Sequence, residues 1–122
     1  MNESETRAEL IDPLLKAAGW GVVEGSKILR EYKITDGRIQ TGGRGKPLIA
    51  DYVLMYRNRK LAVIEAKSSR KEALEGVAQA KLYAEKLKLT WTYATNGKEI
   101  YAINRETGKE GSVSSYPGPD EL

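Results

Sequence analysis

The order of elements along this chain predicts an α/β fold with a mixed central sheet flanked by helices. Three observations carry that prediction. An amphipathic helical stretch opens the chain, with Leu10, Ile11, Leu14, Leu15 and Ala18 on one stripe. Strand-like runs come next, of which 48–56 and 61–67 are apolar on both faces, as expected of central strands. A second helical pattern over 70–88, with Ala73, Val77, Ala80, Ala84 and Leu87 at helical spacing, then leads into another strand. The succession αβββαβ places helices on the faces of a sheet.

The first helix is expected over 3–18. Acids crowd its first turn, where the helix dipole favours them, and Gly19 is a natural stop. Pro13 is awkward in its interior, because it removes a backbone donor and kinks a helix. Residues 21–41 read as strand material: Val22-Val23, then Ile28 to Ile34, a turn at Thr35-Asp36-Gly37-Arg38, and Ile39. Gly42 to Pro47 forms a flexible basic loop. The hairpin 48–67 is expected to turn at Arg57-Asn58-Arg59-Lys60. After the second helix come a strand over 90–95, a turn at Asn96-Gly97, and a terminal hairpin around Thr107-Gly108. The division is 1–115 as one domain and 116–122 as a linker.

With 122 residues, 40% hydrophobic and 30% charged, the chain has the composition of an ordinary globular domain. No apolar run approaches the roughly 20 residues that span a bilayer, and no signal-peptide pattern is present. A cytoplasmic location without membrane contact is the resulting expectation. Absent residue types narrow the chemistry further. There is no His and no Cys, which excludes disulfides, Cys/His zinc sites, cysteine nucleophiles and Ser-His-Asp triads. Carboxylates, Lys, Tyr and hydroxyls remain, so hydrolysis near neutral pH would draw on a metal-activated water. The net charge of +3 tolerates nucleic acid without demonstrating it.

Within the central hairpin, Asp51 precedes Glu65-Ala66-Lys67. Asp51 and Glu65 are hard oxygen ligands suited to Mg²⁺. Lys67 comes two residues after Glu65, so on a strand both side chains leave one face about 7 Å apart. Register decides whether the acids meet. If Val53 pairs with Val63, Asp51 faces Glu65; a slip of one residue sends Asp51 to the opposite face. Glu-x-Lys on a strand is also the pattern of a solvated surface pair, but the apolar neighbours Val63, Ile64 and Ala66 argue against that here. Gln79 and Tyr83 stand at i and i+4, on one helix face. Arg57-Arg59-Lys60 and Lys67-Arg70-Lys71 are either phosphate contacts or ordinary solubilising charges.

These residues, together with Glu3, Thr6-Arg7, Leu10 to Leu15, Gly19-Trp20, Asp51 to Leu54, Gln79-x-x-x-Tyr83 and Ala94 to Gly97, give a resemblance over nearly the whole chain. It resembles the PD-(D/E)xK nuclease superfamily, and more closely the N-terminal nuclease domain of type I restriction enzyme restriction (motor) subunits. Ala50 departs from the family's usual Pro. The resemblance implies a restriction-endonuclease-like core and Mg²⁺-dependent cleavage of DNA, with Mn²⁺ able to substitute. Asp51, Glu65 and the carbonyl of Ala66 would hold the metal, with Glu3, or its rivals Glu5 and Glu9, completing the site. Lys67 would position the water, and Gln79 and Tyr83 would support the substrate. It further implies double-stranded DNA as a partner, modification and specificity subunits bound through a full-length chain, and a helicase region beyond the tail. No Gly-x-x-x-x-Gly-Lys-Ser/Thr is present to supply an ATP site. A free-standing repair nuclease or junction resolvase of the same superfamily, and a catalytically silent DNA-binding or assembly module, are the alternatives.

Overall fold

In the computed structural model, residues 2–34 and 48–122 are described. The expected turn at 35–38, Ile39 and the basic loop through Pro47 lie outside them. Among the described residues, six strands form one sheet in the order β1 (Ser26–Ile34), β2 (Leu48–Tyr56), β3 (Arg59–Ala66), β4 (Trp91–Thr95), β5 (Ile100–Asn104) and β6 (Glu110–Val113). Only β3 and β4 pair in parallel; every other neighbour is antiparallel, so the sheet is mixed as expected. The parallel pair needs a crossover. A 3₁₀ turn (Ala73–Gly76) and the helix Val77–Leu87 provide it.

The N-terminal helical stretch differs from a uniform α-helix. It runs as α1 (Glu3–Thr6), a π-helical turn (Arg7–Ile11) and α2 (Asp12–Ala17), which makes Val77–Leu87 α3. The Asp12 N–H bonds back to the Arg7 carbonyl, five residues away. This wider turn lies immediately before Pro13, where an α-helical repeat would drive the proline ring against the carbonyl four residues earlier. The extra residue rotates α2 about the helix axis. Ile11 and Leu15 are fully buried, whereas Leu14, expected on the apolar stripe, is exposed.

Val22-Val23 also departs from the strand expectation. Residues 18–25 form turns, and Val22 is exposed. The central hairpin turns on Arg57 and Asn58 alone, both at positive φ, so β3 begins at Arg59 rather than Leu61. Two residues of that conformation match the twist of the flanking strands.

Hydrophobic residues cover both faces of the sheet. On one, Ile11, Leu15 and Trp20 pack with Tyr52, Leu54, Ile64 and Tyr93. On the other, Tyr83, Ala84 and Leu89 pack with Val53 and Val63. The Thr92 hydroxyl fastens α3 to the sheet, lying 2.9 Å from the Ala80 carbonyl. Residues 116–122 are laid against the first of these cores: Tyr116 is buried edge-on to Tyr93, and the Trp20 indole N–H donates to the Pro117 carbonyl at 2.8 Å. Among the described residues, no helix is long and apolar enough to cross a membrane.

Candidate metal centre

The register of β2 against β3 determines everything at this site. Tyr52 pairs with Ile64, Val53 with Val63 and Leu54 with Ala62. A register shift occurs only beyond Leu54, toward the turn. Asp51 and Glu65 therefore meet, as the pairing of Val53 with Val63 requires. The Asp51 N–H donates to Glu65 Oε1 at 3.2 Å, and the Ala66 N–H donates to Asp51 Oδ2 at 2.7 Å. Both carboxylates are buried, Asp51 at 9% exposure and Glu65 at 4%.

Two buried acids side by side cannot both be charged cheaply. Arg7, on the π-helical turn, donates from Nη1 to Asp51 Oδ1 at 2.9 Å. Asp51 thus has the guanidinium and the Ala66 N–H as partners. The cost falls on Glu65: burial first, and the Asp51 charge second, push its carboxyl up to about 8. Glu3 is raised as well, by burial and then by the field of Asp51, which sets it beside the same pair.

The rival N-terminal acids are differently engaged. Glu5 closes a capping box: its Oε1 accepts from the Asn2 N–H at 3.3 Å, while the Asn2 side chain accepts from the Glu5 N–H at 2.8 Å. Glu9 is exposed. Glu3 is the N-terminal acid that reaches the centre.

Lys67 leaves β3 just past its end. Its N–H bonds to the Thr95 carbonyl at 2.8 Å, and its Nζ donates to Gln79 Oε1 at 3.2 Å. Tyr83, one turn beyond Gln79, is buried, and its hydroxyl is raised by burial, then by the Glu65 and Asp51 charges. Gln79 and Tyr83 thus meet different members of the site, one the ammonium and the other the field of the acids.

Several residues that the resemblance includes without a role support the site. The Thr6 hydroxyl accepts from the Ser69 N–H at 3.0 Å and donates to the Asn2 carbonyl at 2.8 Å, joining the first helix to the loop after Lys67. Asn96 holds the same loop from the other side, donating to the Lys71 carbonyl at 2.8 Å. Gly97 is at φ +88°, and a Cβ there would come within 2.8 Å of Thr6 and Leu10, so the turn after β4 can touch the N-terminal helix only as glycine. Arg7 enters the sequence reading only as part of the resemblance, in Thr6-Arg7, with no role attached. Glu31 gave no signal at all, yet it sits opposite Asp51 in the β1–β2 register with a left-handed backbone at φ 50°.

Among the described residues, no three acids converge closely enough to form a metal cage alone. The donor set still fits Mg²⁺, which characteristically takes one or two carboxylates and keeps several waters. The buried Glu65 carboxyl, unable to hold its charge cheaply beside Asp51, is the group that a nearby cation would relieve.

The mixed six-stranded sheet with helices on its faces is consistent with a restriction-endonuclease-like core. Comparison with known proteins is more specific: residues 30–117 match the family described as the second domain of the type I restriction enzyme EcoKI endonuclease subunit, and the chain belongs to that family of type I restriction enzyme endonuclease subunits. It is 30% identical to the type I restriction enzyme EcoAI endonuclease subunit of Escherichia coli, over all of this chain and 16% of that one. A solved fragment assigned to the HsdR subunit of a type I restriction enzyme from Vibrio vulnificus YJ016 superposes with a TM-score of 0.89 at 41% identity, covering 100% of this chain and 24% of that one. The chain thus spans under a quarter of the length of each relative.

Proposed function

We propose that this domain is the Mg²⁺-dependent DNA-cleaving centre of a type I restriction subunit, with Mn²⁺ an effective substitute. The observation that carries the reading is the meeting of Asp51 and Glu65 across the β2–β3 pair, with Lys67 two residues further on. Asp51 and Glu65 would hold the metal, with the Ala66 carbonyl as a further oxygen. In an extended strand a residue's N–H and C=O leave on the same side, so the Ala66 carbonyl faces the strand that carries Asp51. Glu3, which lies against Arg7, would complete the site. When bound, the cation would supply Lewis-acid polarisation of a phosphoryl oxygen and a bound water that loses its proton more readily than bulk water does.

The chain's own groups do the rest. The Lys67 ammonium orients the attacking water and offsets charge that builds on the phosphate as one P–O bond forms and the opposite one breaks. Gln79 keeps that ammonium in place. Tyr83 lines the acidic pair and excludes water behind it. Arg70 and Lys71 are exposed just after Lys67 and suit phosphate contacts; Arg57 and Lys60 are instead drawn over the Tyr56 and Tyr32 rings. Double-stranded DNA is the proposed substrate, and modification and specificity subunits the proposed partners of the full-length protein. The likeness to restriction subunits favours this reading over a free-standing repair nuclease or resolvase.

The test is metal-supported cleavage by Asp51→Ala and Glu65→Ala. Each should abolish cutting while the fold persists, because either change relieves the repulsion between the buried acids. Wild-type rates in Mg²⁺ from either variant would remove that residue from the ligand set. A wild-type protein that binds DNA but never cuts would favour the silent-module alternative.

A further inference from the structure

One side chain in the centre has no role in metal binding or water activation. Arg7 is surrounded by three carboxylates from three elements. Its Nη1 lies 2.9 Å from Asp51 Oδ1 on β2 and 3.3 Å from Glu3 Oε1 on α1. Its Nη2 lies 3.6 Å from Glu31 Oε1 on β1. Two local distortions bring these groups together. The π-helical turn begins at Arg7 itself, and Glu31 adopts a left-handed backbone in mid-strand opposite Asp51. A non-glycine residue in that conformation is strained, and such strain gathers at functional sites.

The three contacts are unequal. Arg7 and Asp51 are largely sheltered, with side chains 22% and 12% exposed, while Glu3 and Glu31 are 45% and 70% exposed. The guanidinium is thus bound tightly at one point and loosely at two others toward solvent. Asp51 is also the one acid of the central pair that has a cation against it.

We propose that Arg7 is the resident counter-ion of Asp51 and exchanges with the divalent cation, moving from that carboxylate to a phosphate of the bound DNA. This inference rests on the metal-centre reading. A dication beside Asp51 repels the guanidinium and competes for the same oxygen. Glu3 and Glu31 keep the displaced side chain near the site, and its planar fork suits a phosphate's two oxygens. Arg7 would hold metal affinity down while DNA is absent and strengthen the grip on DNA once metal and phosphate are both present.

Arg7→Met, which keeps the length of the stem and removes the charge, is compared with wild type in two titrations. In the first, Mn²⁺ alone is titrated calorimetrically; the variant should bind about tenfold more tightly, the scale expected when a sheltered competing ion pair is removed. In the second, a short DNA duplex is titrated in Ca²⁺ at several salt concentrations. Here the variant should bind at least about threefold more weakly, with a salt slope smaller by about 1. Mn²⁺ affinity that is unchanged or weaker would overturn the proposal. So would tighter Mn²⁺ binding with DNA affinity and salt slope intact. Asp51→Ala serves as the control for the metal centre itself. If Asp51→Ala binds Mn²⁺ as well as wild type does, the metal centre is wrong and the exchange falls with it. If Asp51→Ala loses the ion while Arg7→Met changes nothing, only the exchange is wrong. Should Arg7→Met fail to fold by its thermal unfolding profile, Arg7→Gln, which keeps a donor for Asp51, gives the same comparison.

Discussion

Replacing Glu65 by Gln should stabilise the metal-free protein, and the gain should depend on pH. Glu65 is almost fully buried, and its acid form is favoured first by burial and then by the Asp51 charge, with its carboxyl near 8 against an ordinary 4.5. Between those two values the folded chain holds a proton that the unfolded chain releases. Stability from this group is therefore full below about 4.5, falls as pH rises through the window, and is lost above about 8. Gln stays neutral throughout, and its carbonyl can still accept from the Asp51 N–H while its amide donates to the Asp51 carboxylate. Each pH unit by which a carboxyl is displaced represents about 1.4 kcal/mol, and local relaxation recovers part of that. Glu65→Gln should therefore gain about 2–3 kcal/mol near pH 8.5 and almost nothing near pH 5. For a domain of this size the gain corresponds to roughly 6–12 °C in melting temperature. Thermal unfolding in EDTA at both pH values reads it directly. An equal effect at the two pH values, or a loss at pH 8.5, would refute the assignment of Glu65 as the strained member of the pair. Saturating Mg²⁺ should raise the melting temperature of wild type, because a ligand of the folded state alone stabilises by mass action.

Two further outcomes concern the substrate side. Gln79→Ala and Tyr83→Ala should slow cleavage by graded amounts smaller than loss of Lys67, with calorimetric Mg²⁺ affinity retained, since Gln79 holds the ammonium and Tyr83 packs in the core beside the acids, and neither is a proposed ligand. DNA binding should be weak, without base preference, and should fall steeply with salt, because the proposed contacts, Arg70 and Lys71, are exposed cations that suit phosphate rather than base edges. Tight binding to one short sequence across a range of salt, measured by fluorescence anisotropy, would contradict that.

The sequence made the sheet's centre legible because β2 and β3 are nearly continuous apolar runs, which leave few alternatives to a buried hairpin. The pairing of Val53 with Val63 came from asking the two acids to meet, and the structure has that pairing. The N-terminal helix was less legible. Its apolar spacing was read with a period of 3.6, and one wide turn before Pro13 moves every later residue around the axis, which is why Leu14 faces outward. Val22-Val23 had strand composition but lies in the turns that close on Gly19 and Gly25, both at positive φ. Composition does not separate Glu3, Glu5 and Glu9, since all three are acids in a helical stretch; in the structure Glu5 caps its own helix with Asn2, Glu9 is exposed, and Glu3 lies against Arg7. Arg7 and Glu31 show no link to Asp51 in the sequence, because that link arises from a π-helical turn, of which Pro13 is only an indirect sign, and from a strained strand position that has no residue signature.

The central claim is that Asp51, Glu65 and Lys67 form a hydrolytic centre that works with a divalent cation. Its most direct test is single-turnover cleavage of supercoiled plasmid DNA in Mg²⁺ or Mn²⁺ by wild type and Lys67→Ala side by side, with Mg²⁺ binding measured calorimetrically. Wild type should cut only with the metal present. Lys67→Ala should be slower by about 10²–10³-fold, the scale of one preorganised donor to a developing charge, while binding Mg²⁺ as well as wild type or slightly better. Cleavage that persists in EDTA, or a Lys67→Ala protein that cuts at the wild-type rate or loses the metal, would contradict the account.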